Sequence, residues 1–331
     1  MVGGEASERL ELTGYLLRRL GQAIVVLLLV TMIVFGLEQL LPGGPARAIL
    51  GTHATPTAIA AFDKQNGLDA SLPQQYWTWL TGVLRGNLGF SYVLNQSVVS
   101  LLGERLPKTA FLAGVSTAIA LVVAVPLGLY QAERRNHLDD YAVTTLSFVL
   151  YSTPAFWLAL LLIEFLAVRN HVFPAEAPQG GFSSIFSDPK AMVLPVLTIT
   201  LVTIAAFSRY VRSSALDQLT QDYVRMARSK GASKGRVLVT HVLRNAILPI
   251  VTLLGVYLPY ILSGTLITEE IFNYPGVGLL FFDAATSQDY PVLLGVVLVV
   301  AVATVVGSLL ADIAYAVIDP RVRYQRTRSA R

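Results

Sequence analysis

Six long apolar stretches constrain this chain more than any other feature of its sequence. A helix needs roughly 20 residues to cross a hydrocarbon core of about 30 Å, and each stretch is close to that length or longer. The chain of 331 residues is 54% hydrophobic and only 14% charged, which is too apolar for a soluble domain of this size. The sequence therefore predicts an all-α membrane protein with six transmembrane helices. The stretches are Leu20 to Leu41, Thr109 to Tyr130, Tyr141 to Val168, Val193 to Tyr210, Ala246 to Thr268, and Val292 to Ile318.

Basic residues set the predicted orientation of these helices. Lys and Arg accumulate in the cytoplasmic loops of membrane proteins. If the N-terminus lies inside, 18 of the 25 Lys and Arg residues fall in inner segments, eight of them between Arg209 and Arg244. We therefore expect both termini to be cytoplasmic. The net charge of +4 follows from this bias and gives no reason to expect nucleic-acid binding.

Several kinds of chemistry are excluded by the residues that the chain lacks. It has no cysteine, so disulfides, thiolate metal sites and cysteine nucleophiles are ruled out. Its four histidines are scattered and form no HxxxH or HExxH pair, which makes a metal site unexpected. No GxxxxGK[ST] phosphate loop occurs either. The sequence thus predicts a chain without a catalytic site, a metal or an ATP site of its own.

The segment 215–245 predicts a basic helical hairpin between the fourth and fifth stretches. An apolar stripe starts at Leu216 and Leu219 and recurs at helical spacing. Gly231 stands where a helix needs a left-handed residue to end, and Ser233 can cap the helix that follows. An amphipathic helix-turn-helix just outside a membrane is suited to docking in a groove of a partner protein. The stripe continues through Tyr223, Met226, Ala227 and Lys230.

This hairpin resembles the cytoplasmic E-A-A loop of ABC importer permeases. Arg225, Met226 and Ala227 occupy the three lettered positions, Gly231 the glycine that follows, and Ile247-Leu248-Pro249 the end of the pattern. The first two letters differ, and Arg-x-Ala in their place resembles the dipeptide/oligopeptide branch. Further blocks resemble the same branch: LPGGP at 41–45, GNLGFSYVLNQSVVSLLGERLPKT at 86–109, STPAFWLALLL at 152–162, TEEIFNYPGVGLLFFDAATSQDYP at 268–291, and DIAYAVIDPRVRY at 312–324.

The resemblance implies a type I importer permease that forms half of a translocation pathway in the bacterial inner membrane. It also implies the partners: a homologous second permease, two ATP-binding subunits and an extracellular or periplasmic peptide-binding protein. ATP would be bound by those partner subunits, and this chain would need no cofactor of its own. Eight hairpin residues would couple the spans to the ATPase subunits: Tyr223, Arg225, Met226, Ala227, Lys230, Gly231, Ala232 and Ser233.

We expect a single membrane domain, residues 20–324. A cytoplasmic amphipathic segment, 1–19, precedes it, and a flexible tail, 325–331, follows it. Inside the domain, the hairpin at 215–245 is the main cytoplasmic piece, and the longest outer piece is a helical region at 42–108.

Two helices are predicted within that outer region. One begins with Thr55 as the N-cap and Pro56 as the first helical residue, and it ends before Gly67. The other begins with Pro73 and ends before Gly86.

Three carboxylates lie within the predicted spans, where a charge is costly and is a functional hypothesis by default. Glu38 is near the outer interface, and Asp312 is near the inner one, where a structural role is favoured. Glu164 is therefore the candidate for a group that faces the pathway or a partner subunit.

Two alternatives remain open from the sequence. Nickel and glutathione importers share these signatures, so the solute could differ within the same class. A stand-alone secondary transporter is the alternative from another class, although such a protein normally shows more intramembrane charges, paired across broken and repeated helices.

Overall fold

The computed structural model describes residues 2–39, 46–47, 50–51, 53–91 and 93–318. Within these ranges the regular structure is helical, apart from one isolated bridge between Phe90 and Ser97. The helices longer than one turn are α1 Val2–Glu38, α2 Pro56–Asn66, α3 Leu72–Leu84, α4 Val98–Glu133, α5 Leu138–Ser152, α6 Ala155–Leu162 (π-helical onward over Ile163–Arg169), α7 Val193–Leu219, α8 Asp222–Ser229, α9 Lys234–Ala246 (π-helical over Val237–Val242), α10 Leu248–Ile271, α11 Val277–Ser287 and α12 Tyr290–Ile318. A single helical turn, Ser184–Ser187, lies between α6 and α7. The LPGGP break, the end of the DPRVRY block and the predicted tail lie outside the described residues.

The helices fit the membrane architecture predicted from the sequence. α1, α4, α7 and α12 are each long and apolar enough to cross a bilayer. Two bent pairs bring the total to six if each pair forms one span: α5 with α6, and α9 with α10, whose axes meet at 41°. The structure therefore confirms the all-α class.

The third predicted span is not one continuous helix, which corrects the single stretch from Tyr141 to Val168. α5 and α6 meet at 103°. Thr153 is extended, with φ −74° and ψ 125°, because the ring of Pro154 disfavours the helical region for the residue before it. The Thr153 hydroxyl donates to the Val149 carbonyl at 2.7 Å and so satisfies the end of α5. The apolar composition predicted the length of this span, and Pro154 divides it.

The two helices predicted in the outer region are confirmed. α2 begins at Pro56, and the Thr55 hydroxyl caps it by accepting from the Ala58 N–H at 3.3 Å. Gly67 ends this helix in the left-handed region, with φ 68°. α3 begins one residue before Pro73 and ends at Leu84.

The chain divides into two compact units, Met1–Arg105 with Leu280–Leu309, and Leu106–Leu279 with Leu310–Arg331. In the first unit, the Thr31 hydroxyl lies 3.0 Å from that of Tyr76, which joins α1 to α3. Buried Asp289 accepts from the Ser91 hydroxyl, which fixes the loop before α4 to the turn before α12. One of these contacts joins two helices of this unit, and the other joins two of its connecting segments.

The second unit contains two apolar clusters. One joins α4 and α7 to the basic hairpin and includes Phe207, Val211 and Val242. The other joins α4, α6 and α7 to the segment before α7 and to the residues that follow α10. It includes Leu112 and Phe272. The first cluster positions the hairpin, because α8 and α9 both contribute buried side chains to it.

Candidate functional site: the basic hairpin

The turn of the basic hairpin is a Schellman motif centred on Gly231. Gly231 has φ +83°, and its N–H donates to the Arg228 carbonyl at 2.9 Å. The N–H of Ala232 donates to the Ala227 carbonyl at 3.1 Å, which completes the pair of bonds that closes such a helix end. Ser233 then caps α9 by accepting from the Arg236 N–H at 3.4 Å. The structure confirms the roles in the turn that the sequence predicted for Gly231 and Ser233.

The predicted stripe of α8 divides between two faces of the helix. Ala227 is buried in this chain's own apolar cluster, and Tyr223 packs against that cluster. Met226 is 60% exposed, and Lys230 is exposed as well. The residue that completes the buried face is Val224, which shares a side of the helix with Ala227 at a spacing of three. The sequence indicated an amphipathic helix correctly but could not tell which apolar residues face the parent protein.

The exposed face of α8 is basic around one apolar side chain. Met226 is flanked in sequence by Arg225, whose guanidinium lies 3.5 Å from the carboxylate of Asp222. Both of those charged side chains are largely in solvent, so this pair adds little stability. Asp222 in the first turn and Arg228 in the last complement the helix dipole. The solvent-exposed face of α8 thus carries a methionine with cations around it.

Glu164 lies on the exposed side of the π-helical segment that follows α6. Its side chain forms no hydrogen bond or ion pair with any residue that the structure describes. The side chains of the other two span carboxylates, Glu38 and Asp312, lie outside the description. Across the described ranges, no three His, Asp or Glu side chains converge as a metal site requires.

Sequence reasoning missed a buried polar arrangement that joins the first third of α4 to the C-terminal end of α10. We call it the outer knot, after the side of the membrane on which it is predicted to lie (Lys108, Thr109, Glu269, Tyr274 and the Val277–Gly278 amides). The ammonium of Lys108 donates to the Gly180 carbonyl at 2.6 Å, and the Tyr274 hydroxyl donates to the Lys108 carbonyl at 2.7 Å. The Val277 N–H donates to the Thr109 hydroxyl at 2.8 Å, and the Gly278 N–H donates to the Glu269 carboxylate at 2.6 Å. Burial raises the pKa of the Tyr274 hydroxyl, so it remains a donor at neutral pH.

Glycine is required beside this knot for reasons of space. A Cβ on Gly276 would overlap the Glu269 carboxylate and the Thr109 hydroxyl. A Cβ on Gly278 would overlap the backbone of Leu266. The signal in the sequence was the YPGVG string, but its partner at Thr109 lies 168 residues away and could not be identified from it.

A second feature that the sequence did not reveal is a buried ion pair between α5 and α7. Arg212 donates to both carboxylate oxygens of Asp140, at 2.8 Å each. The Asp140 side chain is 1% exposed, and that of Arg212 is 26% exposed. Asp140 stands in the first turn of α5, and Arg212 directly follows Val211, which belongs to the cluster on which the hairpin packs. The two parallel bonds of such a pair fix the geometry of both side chains.

Comparison with known families identifies the class of protein. The sequence model of the binding-protein-dependent transport system inner membrane component matches residues 124–324, and that of its N-terminal part matches residues 12–113. The chain belongs to this family. The permease is therefore a multi-pass membrane subunit of an ABC importer, and it works in a complex with other subunits.

Similar proteins match over nearly the whole length of this permease. The oligopeptide transport system permease protein AppB of Bacillus subtilis is 38% identical over 317 residues, which cover 95% of this chain and 100% of AppB. A Brucella ovis protein whose name describes a peptide permease is 40% identical over 318 residues, covering 93% of this chain and 98% of that protein. A Sinorhizobium fredii protein named for peptide ABC transport is 37% identical over 314 residues, covering 94% of this chain and 99% of its own length.

Proposed function

We propose that this permease carries di- and oligopeptides and forms half of their translocation pathway. The observation that carries this proposal is the identity of 37–40% with relatives named for peptide transport, along almost the entire chain. Its partners would be a homologous second permease, two ATP-binding subunits and an external peptide-binding protein. The chain itself contains no phosphate loop, so ATP is bound and hydrolysed by the partners.

In this proposal the basic hairpin couples ATP hydrolysis to the spans, and its residues divide into two groups. Arg225, Met226 and Lys230 are exposed and would contact the ATPase subunit. Tyr223 and Ala227 pack on the permease's own cluster and would transmit the movement of α8 to α7. Gly231, Ala232 and Ser233 fix the angle between α8 and α9. The buried face makes the hairpin a rigid lever that moves with α7.

Glu164 is proposed to face the aqueous pathway or the second permease. A carboxylate that is exposed on the isolated subunit and lies in an apolar span would be costly against lipid. The two remaining environments at that depth are a neighbouring subunit and water.

The test of coupling is a charge placed on the exposed face of α8. In a reconstituted transporter, Met226→Asp should reduce peptide uptake per ATP hydrolysed, or weaken capture of the ATPase subunits, while the permease remains folded. Gln74→Asp is the matched control, because it adds the same charge to an exposed residue of α3, on the opposite predicted side of the membrane. Wild-type coupling in Met226→Asp would contradict the docking role.

The substrate is tested separately by uptake. A strain without other peptide importers should lose accumulation of a labelled di- or oligopeptide when this gene is deleted. Loss of nickel or glutathione uptake, with peptide uptake intact, would overturn the peptide assignment and leave the permease class unchanged.

A further inference from the structure

Membership in the permease family does not explain the environment of Arg209 in α7. Its guanidinium carbon lies 4.1 Å from the ring centre of Phe148 and 5.1 Å from that of Tyr151, both on α5. Within the described residues no carboxylate pairs with it. One helical turn further on, Arg212 is fully engaged by Asp140. Two arginines on one face of α7 therefore have different partners. Arg212 has a carboxylate counter-ion, whereas Arg209 contacts two aromatic rings.

The cation of Arg209 reaches well into the apolar part of the protein. Phe148 and Tyr151 stand 10 and 13 residues into α5, or about 15 and 20 Å along its axis at 1.5 Å per residue. The sequence placed Arg209 at the inner border of its apolar stretch, but in the structure α7 continues for ten more residues, about 15 Å, to Leu219. The whole helix is long and apolar enough to cross the membrane. A charge at such depth is found facing a water-filled cavity or another protein, since exposure to lipid is costly. Arg209 is partly exposed on this subunit, and we therefore expect its guanidinium to face a cavity or a neighbouring subunit and not lipid.

The backbone beside this site supports the same conclusion. α5 ends one residue after Tyr151, and the chain turns through 103° before α6 begins at Ala155. The N–H groups of Ala155 and Phe156 donate to no acceptor in the part of the chain that is described. Non-helical backbone at membrane depth persists only where protein buries it or where it lines an aqueous cavity. Ser152 and Pro154 are exposed on the subunit, so no described part of this chain covers the break, and a neighbouring subunit or water must do so.

We propose that Arg209, held by Phe148 and Tyr151, binds the terminal carboxylate of the peptide in transit. This inference rests on the proposed peptide function. Ring contact engages the flat face of a guanidinium and leaves its N–H edge available for a bidentate carboxylate. Every free peptide carries that carboxylate whatever its side chains, so one fixed cation serves a pathway that must pass many sequences. The rings hold the cation in position without neutralising it, as a carboxylate partner would.

The experiment compares a labelled peptide with its C-terminal amide in the complete reconstituted transporter, at concentrations that saturate the binding protein with either. Arg209→Gln should lower the free-acid to amide uptake ratio about tenfold relative to wild type, equivalent to roughly 1.4 kcal/mol, with amide uptake little changed. Arg209→Lys, which keeps the charge, should retain most of the preference. Phe148→Leu should give an intermediate ratio, because it removes the nearer ring.

Three outcomes would overturn the assignment. An unchanged ratio in Arg209→Gln would show that the cation does not recognise the carboxylate. Equal loss of both peptides, together with loss of the second permease from the purified complex, would mean that Arg209 binds a neighbouring subunit instead. Failure of the wild-type transporter to carry either peptide would instead refute the peptide function on which this inference rests.

Discussion

Single atoms limit how closely α4 and α7 can approach in this permease. A Cβ on Gly128 would lie 2.6 Å from both the Ser208 carbonyl oxygen and the Val211 Cβ, inside the contact distance of real atoms. Gly128→Ala should therefore force the two helices apart and destabilise the protein by about 1–3 kcal/mol, seen as a lower melting temperature in detergent. Gly114→Ala is the matched control on the same helix, because nothing lies within 4 Å of its added Cβ. Equal melting temperatures for the two variants would contradict this packing.

The buried ion pair of Asp140 and Arg212 is tested by removing one of its partners. Arg212→Gln leaves a carboxylate that is 1% exposed without its counter-ion, at a cost of about 3–5 kcal/mol. We expect the variant to accumulate poorly and to melt earlier, and the added change Asp140→Asn should restore part of the loss. Arg134→Gln is the control, since its 51% exposed side chain lies 3.5 Å from Asp139 at the surface and should matter little. Additive losses in the double variant would argue against the pair.

The geometry of the basic hairpin depends on the backbone conformation of one residue, Gly231, in the turn between α8 and α9. Gly231→Ala meets no neighbouring atom within 4 Å, but its φ of +83° is strained for any residue with a Cβ, by roughly 1–2 kcal/mol. The hairpin should change its angle, and peptide uptake per ATP hydrolysed should fall while the level of the protein in the membrane stays near wild type. Gly235→Ala, in the ordinary helical backbone of α9, should couple normally. If both variants couple normally, the rigid-lever role is wrong.

Sequence patterns predicted the elements whose causes are local. The cap at Thr55, the turn at Gly231 and the start of α9 at Ser233 each depend on residues within a few positions, and the structure has all of them. The 103° break also has a local cause, Pro154, but the uniformly apolar composition led to the prediction of one continuous span. What could not be predicted depends on distant partners. Whether Ala227 or Met226 faces inward is decided by α7 and α9, and Asp140 meets Arg212 across 72 residues.

The orientation of the whole molecule remains a prediction, and the absence of cysteine makes it straightforward to test. Single cysteines can be placed at Arg228 and Ser183, both of which are exposed. In sealed cells, an impermeant maleimide should label position 183 and reach position 228 only after the cells are opened. Labelling of position 228 from outside would reverse the topology and move the basic hairpin to the wrong side for ATP.

The outer knot joins groups that are synthesised at very different times. The Lys108 carbonyl and the Thr109 hydroxyl leave the ribosome 166 and 168 residues before Tyr274 and Val277, the groups that bond to them. At 5–20 residues per second, that interval is roughly ten to thirty seconds. During this interval, Lys108 and Thr109 lack the hydrogen-bond partners that Tyr274 and Val277 later provide. A chain stalled before Tyr274 therefore exposes unfinished polar surface to chaperones and proteases, whereas a chain that has passed Gly278 has only its last span left to insert.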